Sequence, residues 1–144
     1  MWACAKAGKL MASGPTKNDI LAEMAFRRGC IRMDAASCQG LARLQFSKSP
    51  DEAKRNFQLA CNQRDQLACA AQKVLFGGNA VVVPPPQLTN ELGASCRADM
   101  GGYDCVSLGL LDVARGQGPA AKMNLQTGCT RGDKFACEIM KKVP

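Results

Sequence analysis

The sequence predicts an all-α solenoid of four two-helix repeats. Three observations point there: evenly recurring cysteines, other side chains held in the same register, and a composition poor in strand formers. Hydrophobic residues make up 47% of the chain but aromatics only 5%, and Ala, Leu, Met and Cys fill the difference, which suits helices. The one β-like run, Val81-Val82-Val83, stops at once at Pro84-Pro85-Pro86. At 144 residues the chain is one domain's worth of polymer, long enough to bury a core.

The cysteines stand at 4, 30, 38, 61, 69, 96, 105, 129 and 137. Eight of them form close pairs with intervals of 8, 8, 9 and 8, and the first members recur after 31, 35 and 33 residues. A period near 33 with small slippage marks a repeat protein with variable loops. Six residues after Cys4, Cys38, Cys69 and Cys105 comes a leucine: Leu10, Leu44, Leu75 and Leu111. Four residues after it stand Gly8, Ala42, Lys73 and Gly109. Eight residues before each first cysteine are Ala22, Ala53, Leu88 and Ala121, and four before it Phe26, Phe57, Leu92 and Leu125. Offsets of four and eight share one helical face, so large residues pack beside small ones.

Each unit therefore reads helix A, loop, helix B, turn. The first helix A, around Cys4, ends at Gly14-Pro15, and the later A-to-B loops carry Ser49-Pro50, Gly77-Gly78 with the triple proline, and Gly116 with Gly118-Pro119. Ser49-Pro50-Asp51-Glu52 predicts a capping box with proline at the first helical position, and Pro86 and Pro119 predict starts of the same kind. Asp34, Asp65 and Asp133, four residues before the next cysteine, are placed to cap the next helix A. Nine helices follow, the last from about Lys134 to Lys142 with Pro144 as a stop. The single domain spans 1–144, with repeats at about 2–34, 35–65, 66–101 and 102–133 and a cap at 134–144.

Ala60-Cys61 with Ala68-Cys69, Gly128-Cys129 with Ala136-Cys137, the alanines at 22, 53 and 121, and Leu108-Gly109-Leu110-Leu111 carry a resemblance. Over nearly its whole length the chain resembles the Sel-1-like repeat family, relatives of the tetratricopeptide repeats. Within that family it is most similar to the disulfide-rich branch typified by the Helicobacter cysteine-rich proteins. The resemblance implies a right-handed αα-superhelix with a C-terminal capping helix. The third unit departs from the pattern through its nine-residue interval, Lys73 and a longer Pro-rich loop.

On the residues alone, the cysteines could be disulfides, buried thiols or metal ligands. Zinc spacing is shorter, and Cys-x-x-Cys is absent. The resemblance implies disulfides Cys30–Cys38, Cys61–Cys69, Cys96–Cys105 and Cys129–Cys137, and with them an oxidising compartment, periplasmic or secreted. Cys4 is left with its expected partner position before Met1, which predicts a missing N-terminal portion carrying the signal peptide, or a reactive thiol. Neither a signal peptide nor a membrane span is visible in the sequence.

Histidine is absent, which removes Ser-His-Asp and Cys-His pairs and imidazole zinc sites; no metal or cofactor is expected. The resemblance also raises penicillin binding or weak β-lactamase-type hydrolysis. None of the serines at 13, 37, 47, 49, 95 and 107 has lysine three residues on, so a hydrolase would need an unusual Lys, Asp or Tyr103 arrangement.

The architecture points to a scaffold, a monomer that binds a protein, a peptide or a cell-wall fragment. A net charge of +7 favours acidic partners. Nucleic acid is not expected, because the implied compartment lacks RNA and only one Tyr and one Trp could stack on bases. Helix A positions one and five after the cysteine predict a concave wall: Ala5 and Lys9, Gln39 and Arg43, Ala70 and Val74, Val106 and Leu110. Lys9 and Arg43 are the candidate anchors for a carboxylate or acidic peptide, projecting into the groove without supporting the core. The loop Asn79–Pro86 is a second candidate surface.

Overall fold

The computed structural model describes residues 2–13, 17–78, 82–83, 85–98 and 101–143. Among them run nine helices and no strand: α1 Trp2–Ser13, α2 Asp19–Ile31, α3 Ala35–Gln45, α4 Pro50–Asn62, α5 Gln66–Phe76, α6 Pro86–Ala98, α7 Tyr103–Ala114, α8 Gly118–Thr130 and α9 Lys134–Met140. None of these helices is long and apolar enough to cross a membrane. Met1, Gly14, Pro15, Asn79, Ala80, Val81, Pro84 and Pro144, all used in the sequence reading, lie outside the described residues.

The B-to-A turns repeat one hydrogen-bond pattern. Met33, Arg64 and Gly132, each three residues after a helix-B cysteine, adopt positive φ of 64°, 67° and 97°. The next residue, an aspartate each time, donates its N–H back to Gly29, Ala60 and Gly128 respectively. This six-to-one closure ends helix B. The same aspartates begin helix A: Asp34 accepts from Ser37 N–H, Asp65 from Ala68 and Asp133 from Ala136. A three-residue reversal with both ends fixed brings the flanking cysteines together at Cα separations of 4.5, 4.6 and 4.8 Å. The third turn holds one residue more, uses Gly102 at φ 83°, and still joins Cys96 to Cys105 at 4.5 Å. All four bridges are formed, and Cys4 is a free, half-buried thiol.

Helix starts follow the prolines expected at 50, 86 and 119, but the capping box does not form. Ser49 makes no side-chain cap bond. Its N–H is held by the Gln45 carbonyl, and Glu52 accepts from the Gln45 amide at 3.0 Å, so both box partners are already engaged. An unanticipated cap, Asn18, starts α2 by accepting from Leu21 N–H. The last helix ends at Met140, two residues before the expected Lys142.

Large-beside-small packing explains the register. A methyl group on Gly8 would collide with the Phe26 ring, one on Gly109 with the Leu125 side chain, and one on Gly128 with Val106. Phe26, Phe57, Leu92 and Leu125 are all buried, as are Ala22, Ala53 and Ala121. The shared leucine position is not uniform: Leu111 is fully buried, Leu44 and Leu75 partly, and Leu10 is 60% exposed. Leu111→Ala is therefore expected to lose about 2–5 kcal/mol of stability in urea melts, with Leu10→Ala losing less than about 1 kcal/mol. Equal losses at the two sites would refute this packing.

Two units also share a polar clasp that the sequence reading missed. Asn56 donates to the Gln45 amide oxygen and Asn124 to the Asp112 carboxylate, both at 2.7 Å. Each helix-A partner stands seven residues after its cysteine and each asparagine five before the next, so the repeat offsets could have revealed the pairs.

Consecutive helices pack throughout, except that α5 and α6 barely touch; α5 packs on α7 instead. The long connection between α5 and α6 is what frees them. Its described part folds back, with Val82 against the core and Val83 N–H donating to Gln66. Helices distant in sequence also meet: α1 touches α3 and α7, and Phe135 of α9 packs on Phe46 and Phe57, which in turn meet Phe76.

Candidate binding site

The expected open wall is closed. Gln39, Arg43, Ala70, Val106 and Leu110 are buried, Val74 and Ala5 partly so, and of the two anchors only Lys9 reaches solvent. Inward-facing positions stay exposed only where the helices on opposite sides are kept apart. Here α3, α7 and α9 converge, and the inner faces serve as core for one another.

Arg43 is the centre of that convergence, with its side chain only 2% exposed. One terminal nitrogen, Nη1, donates to Ser107 Oγ at 2.9 Å and Gln39 Oε1 at 3.3 Å. The other, Nη2, donates to the Tyr103 carbonyl at 3.0 Å and pairs with the Asp133 carboxylate at 3.5 Å. The guanidinium lies 3.5 Å from the centre of the Tyr103 ring, which itself stacks on Phe26. Lys9 pairs with Asp104 of α7 at 2.7 Å. The acidic groups sought for these two cations in a ligand are thus present in the chain itself. The expectation that neither residue supports the core is corrected for Arg43, which joins α3, α7 and the cap of α9.

One polar atom is left over. Among the described residues no acceptor meets the buried Arg43 Nε–H. Elsewhere Arg43 lines a small cavity of about 60 Å³ together with Lys17, Lys134, Asp19, Asp133 and Tyr103, with apolar walls.

Burial pushes the Tyr103 phenol up to about 12, opposed by Arg43 and reinforced by the charges of Asp133, Asp65 and Asp104, so it stays protonated at neutral pH. Ser107 Oγ is fully buried, accepting from Arg43 and donating to the Tyr103 carbonyl. The residues around Arg43 therefore offer positive charge and hydrogen-bond donors rather than a nucleophile.

Burial also raises the Asp65 carboxyl above its ordinary 3.8, against hydrogen bonds from the Ala68 and Leu67 N–H groups and with Asp34 adding repulsion. A raised folded-state value means the folded chain holds this proton more tightly. The stabilising contribution is complete below about 3.8 and is lost as pH rises through the folded value. Asp65→Asn keeps the cap, since asparagine serves there as well as aspartate, and removes the buried charge. Urea melts are expected to show the variant as stable as the parent or more so at pH 7. A loss above about 1 kcal/mol at pH 7 would contradict the assignment.

A second surface lies on the outer side of α1 and α2, where sequence reasoning placed nothing. Ala3, Cys4, Ala7, Met11, Leu21, Met24, Ala25 and Arg28 line an open groove of about 400 Å³. Leu10, Ile20, Leu21, Met24, Ile31 and Met33 are exposed around this helix pair, and they are six of the eight large apolar side chains exposed among the described residues. The signal was available at Leu21 and Ile31, whose counterparts in the other units are Glu52, Gln87 and Ala120, and Asn62, Arg97 and Thr130. No protein-family model, curated protein or solved structure matches the chain.

Proposed function

We propose that this chain is a disulfide-stapled binding scaffold of the Sel-1-like kind, a right-handed superhelix of four repeats and a cap, working in a periplasmic or secreted setting. It recognises a polypeptide rather than transforming a substrate. The apolar groove on α1 and α2 carries the reading. Clustered exposed apolar side chains mark interaction surfaces in a stable domain. The groove, lined by Met11, Leu21 and Met24, suits the apolar face of an amphipathic helix presented by another polypeptide. Arg28 at its edge favours acidic residues flanking that helix's apolar face. Four disulfides fit an oxidising compartment, and the first of them fixes α2, one wall of the groove, to α3.

The test is a non-reducing pulldown from periplasmic or secreted extract with the parent and with Leu21→Glu/Met24→Glu. Both substituted side chains are exposed, so the helical circular dichroism should not change. Partners retained by the parent and lost by the variant support the groove, and a bound partner should slow maleimide labelling of Cys4. Identical capture by both proteins, or steady turnover of a chromogenic cephalosporin by the parent, overturns the reading.

A further inference from the structure

We infer that the exposed face of α2 pairs with the same face of a second copy of this chain, the two helices lying antiparallel across a two-fold axis. The inference rests on the reading of this surface as a polypeptide-binding one and names its partner, in place of the monomer expected from the sequence. Three features of α2 select a second copy. The first is an apolar row that matches itself. Met24, Arg27 and Ile31 follow Ile20 at offsets of four, seven and eleven, so the four share one side of the helix, and all are exposed. Ile20 and Ile31, at 74% and 76%, are the most exposed large apolar side chains among the described residues. They stand at opposite ends of the row. Turning the helix end over end about a point between Met24 and Arg27 therefore lays each on the other's place, as a two-fold interface requires.

The second feature is charge. Asp19 and Glu23 occupy the first half of α2, and Arg27 and Arg28 the second. Antiparallel packing sets these halves against each other, whereas parallel packing would oppose like charges. The same end-over-end rotation brings Glu23 beside the partner's Arg27, and Arg27 beside the partner's Glu23. Within the chain Glu23 pairs with Arg27 at 3.8 Å and Lys48 at 3.6 Å, long contacts to exposed cations that leave its carboxylate able to take a closer partner.

The third feature is continuity with the groove. Leu21, Met24 and Arg28 line it as well as facing outward from α2, so a second α2 lying along the first also covers the groove. By symmetry the first covers its partner's. Ile20, Leu21, Met24 and Ile31 are four of the eight large apolar side chains exposed among the described residues, and all four leave water in one interface. The helix this groove asks for, apolar on one face with acidic residues flanking it, is α2 itself.

Sedimentation velocity of the fully oxidised chain over a concentration series tests this, at physiological ionic strength where the net charge of +7 on each copy is screened. A repeat with Cys4→Ser excludes an interchain disulfide. The expected result is a monomer–dimer equilibrium in both. Arg27→Glu and Glu23→Arg should each weaken the dimer by at least about tenfold, because each sets like charges together twice across the two-fold axis. Mixing these two variants should restore association as a heterodimer, since both contacts then join opposite charges. Ile20→Ser/Ile31→Ser should abolish the dimer. Neither isoleucine lines the groove, so capture of an unrelated helix there would survive that change. A chain that stays monomeric at every concentration overturns the inference and leaves the groove reading standing. A dimer indifferent to the charge changes, or variants that fail to rescue each other, overturns it as well. Binding of a monomer to anionic vesicles through Ile20 and Ile31 would assign the face to a membrane and overturn it too. The groove reading fails separately, through identical capture by the parent and Leu21→Glu/Met24→Glu.

Discussion

Replacing Arg43 by alanine is expected to lower the unfolding free energy by about 3–5 kcal/mol, the cost of breaking a buried ion pair from one side. The Asp133 carboxylate, Ser107 Oγ and the Tyr103 carbonyl would each lose a donor, and the Tyr103 ring its stacked cation. Arg43→Lys should recover only part of the loss, because an ammonium cannot span acceptors on α3, α7 and the turn before α9 at once. Lys9→Ala is the control. Its side chain is 41% exposed, but Asp104 beside it is only 6% exposed, so the loss should be about 1–2 kcal/mol, below that for Arg43. Urea unfolding at pH 7 under non-reducing conditions measures all three. A loss below about 1 kcal/mol for Arg43→Ala would mean that the inner faces do not close on one another.

Reduction of the disulfides is expected to have the larger effect. Each bridge closes a loop of eight or nine residues, which in the chain-entropy account contributes about 2.5 kcal/mol. Four such contributions are comparable with the whole stability of a domain, about 5–15 kcal/mol. Treatment with a phosphine reductant should therefore abolish the cooperative thermal transition at ordinary temperatures. Removing the Cys61–Cys69 bridge alone, as Cys61→Ala/Cys69→Ala, should lower the urea midpoint while leaving a folded protein. Peptide mapping of the oxidised chain should recover the four within-turn links and a single free thiol at Cys4. Links between different turns, or a reduced protein that melts like the oxidised one, would contradict this account.

Much of the local structure was legible because it depends on neighbours in sequence. The Asp caps at 34, 65 and 133, the proline starts and the cysteine pairs each involve residues within about a dozen positions, and recurrence in several units separated signal from accident. The capping box at Ser49 misled, since its partners were taken by Gln45, an interaction that only the packed hairpin offers. The clasps Gln45–Asn56 and Asp112–Asn124 lay in the register but needed the hairpin geometry to be recognised.

The candidate site was the least legible part. Helical phase grouped Lys9, Gln39, Arg43, Val106 and Leu110, but phase says nothing about what lies opposite. Arg43 meets Ser107 across 64 positions, and Lys17 meets Gly132 across 115. No periodicity encodes such contacts, and neither do the positions of Phe135 among the other rings or of α7 against α1. The sequence by itself determined an all-helical chain, its hairpin turns and its staples, because propensity, capping and loop closure act over short stretches. That the inner faces bury one another, leaving one enclosed donor unmet and an apolar groove outside, was set by contacts between distant helices. Packing between distant helices depends on how small angular offsets accumulate along the repeats, and local sequence does not record that sum.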